Sequence, residues 1–158
     1  GPVPFEKEDE AFAEEIRKTL TSEDIAASFQ RAGRQTPPDL SLCDFVAPLD
    51  RPSYGGEGST DVGDVSWVTP TVQARVATCA VGTPFHTWQT VAQGKAPVAH
   101  KGMVHAAKVM AATATHLINS PETLKAARDV HNKRQQTTPY DCPIPQNAEP
   151  PVTYNPSS

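Results

Sequence analysis

The 158-residue chain is long enough for one domain with a modest core, but its composition is unusual for a self-sufficient globular domain. Apolar residues make up 37%, and 16 residues are proline, about twice the average frequency of proline. The net charge of -4 comes without a basic stripe, which disfavours nucleic acid as a partner. No apolar run approaches the roughly 20 residues that a membrane-spanning helix needs.

The three cysteines, Cys43, Cys79 and Cys142, are odd in number and widely spaced. Their spacing matches neither a disulfide framework nor a zinc knuckle. It therefore favours reduced thiols in a cytoplasmic protein.

The N-terminal region predicts two helices. Apolar residues recur at four-residue spacing between 5 and 20, and acidic residues fill the first turn of this segment, where they favour the helix dipole. A second, shorter helix is expected to begin at Thr21, which would act as its N-cap with Asp24 three residues on. This helix is expected to stop at Gly33.

Two segments in the middle of the chain predict strands. Residues 42–47 form a short candidate strand, and 72–81 alternate in size and are rich in β-branched side chains. A loop rich in glycine and proline, 48–58, follows the first of them.

Two more helices are predicted after an aperiodic loop, 82–97. The first spans about 100–119, and its narrow apolar stripe suits close packing on a sheet. The stripe consists of Met103, Ala106, Met110, Ala114 and Leu117. The second is expected to have Ser120 as N-cap and Pro121 in the first helical position, and to end near Arg134.

This order of strands and helices predicts an α/β fold. Two strands alone make a marginal sheet, so the chain is expected to be part of a larger one.

Asp61 and Asp64 lie in the polar segment GSTDVGDVSW, which predicts a short helical turn capped by Ser59 or Thr60. At a spacing of three, the two carboxylates share one face of the turn. They could bind a cation, orient a histidine ligand or accept a substrate ammonium. A capped surface turn with both carboxylates solvated is the simpler interpretation.

His86 lies in the loop GTPFHTW after the second predicted strand. A lone histidine between bulky aromatic residues, on a Gly/Pro loop, suits a metal ligand or an acid–base group. Ligand-binding loops of α/β sheets follow the carboxyl ends of strands, as this loop would. The alternative is a histidine stacked on Trp88 and satisfied by backbone groups, and spacing leaves both open.

Lys95 and His100 lie in AQGKAPVAHKGM, a basic loop that leads into a predicted helix. The free N–H groups of a helix N-terminus bind anions, so His100 could contact a substrate carboxylate. Exposed first-turn residues are the simpler interpretation. The remaining histidines, His105, His116 and His131, have no ligand spacing and indicate surface or packing positions.

Taken together, GSTDVGDVSWVTP, GTPFHTW and AQGKAPVAHKGM resemble the C-terminal third of one of the subunit families of aminobenzoyl-glutamate hydrolase. The ending YDCPIP resembles the close of those chains, so the resemblance covers about 5–151. DVGDVSW and HTWQ are its most specific segments. The wider superfamily contains aminoacylases and glutamate carboxypeptidases.

The resemblance implies a metal-dependent amidohydrolase with two divalent ions, zinc or manganese, in each complete site. In that superfamily the ions polarise the scissile carbonyl and lower the pKa of a bound water, whose proton a glutamate takes. His86 matches a terminal metal ligand, and Gly82 matches the loop that leads to it. The residues expected beside the substrate or the site are Asp61, Asp64, Thr83, Lys95 and His100.

The family's H-x-D ligand motif, its bridging aspartate, the Glu-Glu pair that holds the general base and the lid domain have no match in this sequence. No catalytic residue is therefore expected here, and the chain alone should not hydrolyse anything. The resemblance implies that 3–135 form the C-terminal segment of a zinc-peptidase-like catalytic domain, with a mixed sheet flanked by helices. Residues 136–158 would form a Pro-rich extended tail.

The resemblance thus implies a segment of a cytoplasmic, homodimeric enzyme that cleaves the amide bond of N-acyl or aminobenzoyl amino acids. The remainder of the catalytic domain would come from the same chain or from a separate one. The alternative is a non-catalytic module derived from such an enzyme. That module would bind a carboxylate at the N-terminus of the helix over 100–119 or have a regulatory role.

Overall fold

The computed structural model describes residues 1–34, 39–50 and 60–150, and these residues contain six α-helices. In chain order they are α1 (Lys7–Arg17), α2 (Ser22–Arg31), α3 (Val62–Val68), α4 (Trp88–Gln93), α5 (Pro97–Asn119) and α6 (Pro121–Thr137). Most of the predicted 48–58 loop, and Ser59, lie outside the described residues. The helices belong to two compact units, one with α1, α2, α4 and α5 and the other with α3 and α6.

The expected α/β fold with a mixed sheet is wrong for this chain, because the part that the structure describes is helical and contains no strand. The segments predicted as strands, 42–47 and 72–81, have no ladder of hydrogen bonds. The described residues show one backbone bond that ties the two regions, from Val81 N to Ser41 O at 2.9 Å. β-branched side chains supply strand propensity, but a strand also needs a neighbour to satisfy its N–H and C=O groups.

Both N-terminal helices form, with ends somewhat inside the predicted bounds. Thr21 Oγ1 accepts a hydrogen bond from Asp24 N at 3.1 Å, which confirms Thr21 as the N-cap of α2. After α2 the backbone reaches Gly33, where φ is 79°, a left-handed value that glycine adopts at little cost. The predicted stop at this glycine is therefore confirmed.

The core of the first unit is small and is built by α1, the two extended segments and the start of α5. Its cluster of buried apolar side chains consists of Ala13, Ile16, Leu42, Ala80 and Val98. Phe5 and Phe12, which are partly buried, pack against this cluster. Burial of these side chains is the main apolar contribution to holding α1 and α5 together.

The N-terminal part of α5 approaches its neighbours closely. Lys101 Nζ lies 2.5 Å from Asp9 Oδ2 and 2.6 Å from Glu6 Oε2, so an ion pair joins α5 to the start of α1. At Gly102 an added Cβ would lie 2.1 Å from Ala77 O. Only glycine lets the helix come this near to the extended segment.

The predicted apolar stripe of α5 is not buried, and this expectation is wrong. Met103 is 61% exposed and Met110 is 67% exposed, whereas Val98 and Gly102 are the buried residues of α5. The helix therefore turns a different face to its own unit than the stripe predicts. None of the described helices, α5 included, is both long and apolar enough to cross a membrane.

The second unit is organised around Trp67 of α3. The guanidinium of Arg134 lies 3.7 Å from the centroid of the Trp67 ring, and Tyr140 stacks at 6.2 Å between centroids. The side chain of Gln135 donates a hydrogen bond to Trp67 O. An indole attracts a cation placed over its face and also stacks favourably with a second aromatic ring. These contacts hold α6 against α3.

The ends of α3 and α6 differ in part from the prediction. Pro121 is at the start of α6 as predicted, but Ser120 makes no side-chain cap. Asp61 is the N-cap residue of α3, and Thr60 Oγ1 accepts only a long bond of 3.4 Å, from Val62 N. Between α6 and residue 150 the chain has no regular secondary structure. The predicted domain division at 135/136 stays a prediction.

Candidate functional site

His86 has an unusual backbone conformation. With φ at 63° it is the one non-glycine residue of positive φ in the described ranges. A left-handed backbone costs a residue with a side chain roughly 1–2 kcal/mol, although histidine is among the residues found there more often. Such a conformation persists only where the surrounding structure fixes it.

The turn before His86 is fixed by the side chain of Gln93, which is 1% exposed. Gln93 Oε1 accepts a hydrogen bond from Ala80 N at 2.7 Å, and Gln93 Nε2 donates to Thr83 Oγ1 at 3.0 Å. Thr83 Oγ1 in turn donates to Ala80 O at 2.7 Å. The buried amide thus ties the turn to α4.

The backbone on both sides of His86 is also tied to the start of α4. Thr87 and Thr90 each donate a hydroxyl hydrogen bond to Pro84 O, both at 2.7 Å. Thr87 is in addition the N-cap of α4 and accepts from Thr90 N at 3.4 Å. Only Phe85 and His86 lie between these anchors.

The side chain of His86 is exposed. Within the described part of the chain it makes no hydrogen bond and no ring contact, so the predicted alternative of stacking on Trp88 is not seen. An exposed ring whose nitrogens bond none of the described residues is suited to binding a metal ion. Its assignment as a metal ligand stays a prediction.

The other residues predicted for the site are distributed over both units. Thr83 is buried in the turn described above, and Lys95 and His100 are exposed in the same unit. Lys95 follows the end of α4, and His100 lies in the first turn of α5. Asp61 and Asp64 belong to the second unit. The first unit therefore brings His86 and Thr83 into one loop, and the remaining assignments stay predictions.

Asp64 has a partner that its spacing did not predict. Tyr140 Oη donates a hydrogen bond to Asp64 Oδ1 at 2.7 Å. The hydrogen bond to this carboxylate raises the pKa of Tyr140 above its usual value. Asp64 is thus engaged in holding the segment after α6.

A cavity of about 200 Å³ adjoins the His86 loop within the first unit. Its lining includes Phe29, Cys43, Cys79, Gly82 and Thr83. Burial raises the pKa of both thiols, so at neutral pH they are thiols and not the thiolates that act as nucleophiles. All three cysteines of the chain are free, as predicted.

The described residues do not by themselves form a site for the predicted pair of metal ions. In the described ranges no group of three or more histidine, cysteine, aspartate or glutamate side chains is placed to hold a metal. A two-metal site needs several such ligands in one place. His86 could supply only one of them.

Sequence reasoning missed α4 and its buried glutamine. A capping threonine at Thr87 and a glycine at Gly94 bound a six-residue helix, and both are start and stop signals in principle. The helix is too short to show an apolar period. No local pattern marks Gln93, because its partners Ala80 and Thr83 are 13 and 10 residues away in the chain.

The chain is similar to a subunit of p-aminobenzoyl-glutamate hydrolase from Escherichia coli (strain K12), with 41% identity over 160 residues. The match covers 95% of this chain and 33% of that protein, so the chain spans about a third of the length of the curated relative it matches. No family model matches the chain, and no solved structure matches it. The resemblance that the three sequence segments predict is thereby confirmed.

Proposed function

We propose that this chain is a segment of a metal-dependent amidohydrolase that cleaves the amide bond of N-acyl or aminobenzoyl amino acids. The observation that carries the proposal is 41% identity over 95% of the chain to a protein named as a p-aminobenzoyl-glutamate hydrolase subunit. Because the chain spans about a third of that protein, the activity belongs to the complete enzyme. The chain by itself is inactive in this proposal.

In the complete site His86 supplies one metal ligand. Its ring is exposed and its backbone is held left-handed by bonds on both sides, which is an arrangement that presents a side chain outward. An imidazole together with carboxylates suits several divalent ions, zinc and manganese among them, and the complete site would hold two such ions. The other ligands and the general base come from residues outside this chain.

The partner of the chain is the remainder of the catalytic unit. The relative is named as one subunit of its enzyme, which supports a separate partner subunit for that protein. The exposed stripe of α5, which includes Met103 and Met110, offers an apolar surface to such a neighbour. A homodimer of the complete enzyme remains a prediction.

A chimera tests the proposal. This chain would replace the matching third of the Escherichia coli relative, and the product would be made together with that enzyme's partner subunit. We expect the chimera to bind divalent metal and to release p-aminobenzoate from p-aminobenzoyl-glutamate. His86→Ala should lower metal content and reduce turnover by a factor of about 100 or more, on the order of the loss when a central catalytic interaction is removed.

His116→Ala is the matched control, because His116 is an exposed histidine of the same unit, near the end of α5. It should leave both metal content and turnover unchanged. Full activity and metal content in the His86→Ala chimera would show that His86 is not a ligand. A folded chimera that binds metal but cleaves no N-acyl amino acid would overturn the assigned reaction.

A further inference from the structure

We infer that Gln93 is a positioning residue for His86, and that its buried amide sets the direction in which the His86 ring is presented. The consequence of this inference for function rests on the proposed role of His86 as a metal ligand. Its structural content, that one glutamine fixes the conformation of the loop, stands on the hydrogen bonds of the first unit alone.

The amide of Gln93 is fully engaged. Besides the bonds to Ala80 N and Thr83 Oγ1, its Nε2 donates to Gln89 O at 3.0 Å. The orientation of the amide follows from these partners, because the N–H of Ala80 requires an acceptor. An amide at 1% exposure is costly unless it is hydrogen-bonded, and an apolar side chain would fill the space without that cost. The hydrogen bonds therefore explain why a glutamine, and not an apolar residue, occupies this buried position.

These bonds act on His86 through the chain. Gln93 fixes Ala80 and Thr83, while the hydroxyls of Thr87 and Thr90 fix Pro84 O. The chain must then run from Thr83, which Gln93 holds, to Thr87 at the start of α4, and His86 lies on this path. The left-handed φ of His86 is the conformation that accomplishes this. Removal of the Gln93 amide would free Ala80 N and Thr83 Oγ1 from α4 while leaving the backbone bonds of α4 in place.

The direct test compares Gln93→Met with Gln89→Met in the full 158-residue chain. Methionine keeps the length and volume of glutamine but removes the amide. Gln89 is the matched control, since it lies one turn earlier on α4 and its side chain reaches Thr19 only at 3.5 Å. The readouts are amide hydrogen exchange at Ala80 and Thr83, the NMR couplings that report φ of His86, and the thermal midpoint.

We expect Gln93→Met to accelerate exchange at Ala80 roughly tenfold or more, as the loss of a buried hydrogen-bond partner implies. The couplings of His86 should average away from the left-handed value in a chain that still unfolds cooperatively. Gln89→Met should change neither. If the two variants give the same exchange rates and the same His86 couplings, Gln93 does not position the loop.

Thr83→Val is a second variant that tests the same hydrogen bonds, in case Gln93→Met does not fold. It keeps the shape of the side chain but removes the hydroxyl that Gln93 Nε2 and Ala80 O share. The His86 couplings should shift as in Gln93→Met. Unchanged couplings in a folded Thr83→Val chain would overturn the inference.

The chimera separates the inference from the proposed function. There, Gln93→Met should weaken zinc binding by roughly tenfold to a hundredfold, which is the usual effect of disturbing a residue that orients a ligand. Excess zinc should restore turnover, which a general loss of folding would not allow. If zinc affinity falls in Gln93→Met but not in His86→Ala, the loop positions something other than a metal ligand. If zinc affinity falls in His86→Ala alone, Gln93 is not a positioning residue.

Discussion

His86 combines an exposed ring, which makes no hydrogen bond to the described residues, with a backbone that is anchored on both sides. A side chain that serves packing has the opposite character, because its ring is covered and its backbone is ordinary. The combination fits a group that meets a ligand supplied from outside the unit. The motif around His86 predicts its position in a loop, and the structure adds the physical reason why the loop presents it.

Asp9 is a buried charged residue of the first unit, at 3% exposure. Burial works to raise the pKa of its carboxyl, but hydrogen bonds from Lys101 Nζ and Glu6 N outweigh burial, and the pKa is lowered from the usual 3.8. A carboxyl with a lowered pKa in the folded state contributes stability above its unfolded pKa. That contribution is lost as the pH falls through the folded pKa.

We therefore predict that Asp9→Asn lowers the free energy of unfolding by about 1–3 kcal/mol at neutral pH. The difference from the unchanged chain should shrink as the pH falls below about 4. Thermal midpoints measured from strongly acidic to neutral pH check this. Glu15→Gln, which removes an exposed pair with Lys18, should show no such convergence. If the two thermal midpoints, of Asp9→Asn and of the unchanged chain, differed by the same amount at every pH in this range, the ionised Asp9 carboxylate would not be the stabilising group.

At the scale of elements, the approach of α5 to the extended segment depends on Gly102. An added Cβ would lie 2.1 Å from Ala77 O and 2.8 Å from Thr78 Cγ2. Alanine favours a helix over glycine by roughly 1 kcal/mol, but the clash requires α5 or the segment to move. Gly102→Ala should therefore destabilise the chain by about 1–3 kcal/mol in urea unfolding, as overpacking of a core does.

Gly63→Ala is the control for this prediction, since Gly63 lies within α3 and a Cβ there meets nothing within 4 Å. It should leave α3 intact and stabilise it by about 0.5–1 kcal/mol. Equal stability of the Gly102→Ala chain and the unchanged chain would show that α5 does not approach Ala77 as described.

The elements that the sequence predicts correctly are those with local causes. Thr21 caps α2 through an amide three residues away, and Pro121 begins α6 because its ring suits the first helical position. The strand predictions are wrong because a strand depends on a neighbour distant in the chain. Residues 72–81 have strand propensity but no paired neighbour among the described residues. At the site, the motif predicts roles for His86 and Thr83 that stay predictions, whereas Gln93 depends on contacts that no short pattern contains.

At the scale of the whole molecule, as far as the structure describes it, the small buried core contrasts with the apolar stripe of α5, whose two methionines are exposed. Five buried apolar side chains form the core cluster of the first unit, whereas Met103 and Met110 are more than half exposed on α5. The stripe has the helical period of a packed face, so the sequence encodes a contact that the described residues do not make. The chain also spans only about a third of the relative it matches. We therefore predict that the neighbour of α5 lies in the remaining two thirds of such a protein.

The double change Met103→Gln, Met110→Gln tests this assignment. In the 158-residue chain it should alter the free energy of unfolding by less than about 0.5 kcal/mol, because both side chains are largely exposed. In the chimera the same change should destabilise the assembly by at least about 2 kcal/mol, since two amides would enter an apolar interface. Lys108→Gln, an exposed change on the same helix, should be neutral in both. Equal unfolding curves for the altered and unaltered chimeras would show that the stripe faces solvent in the complete protein as well.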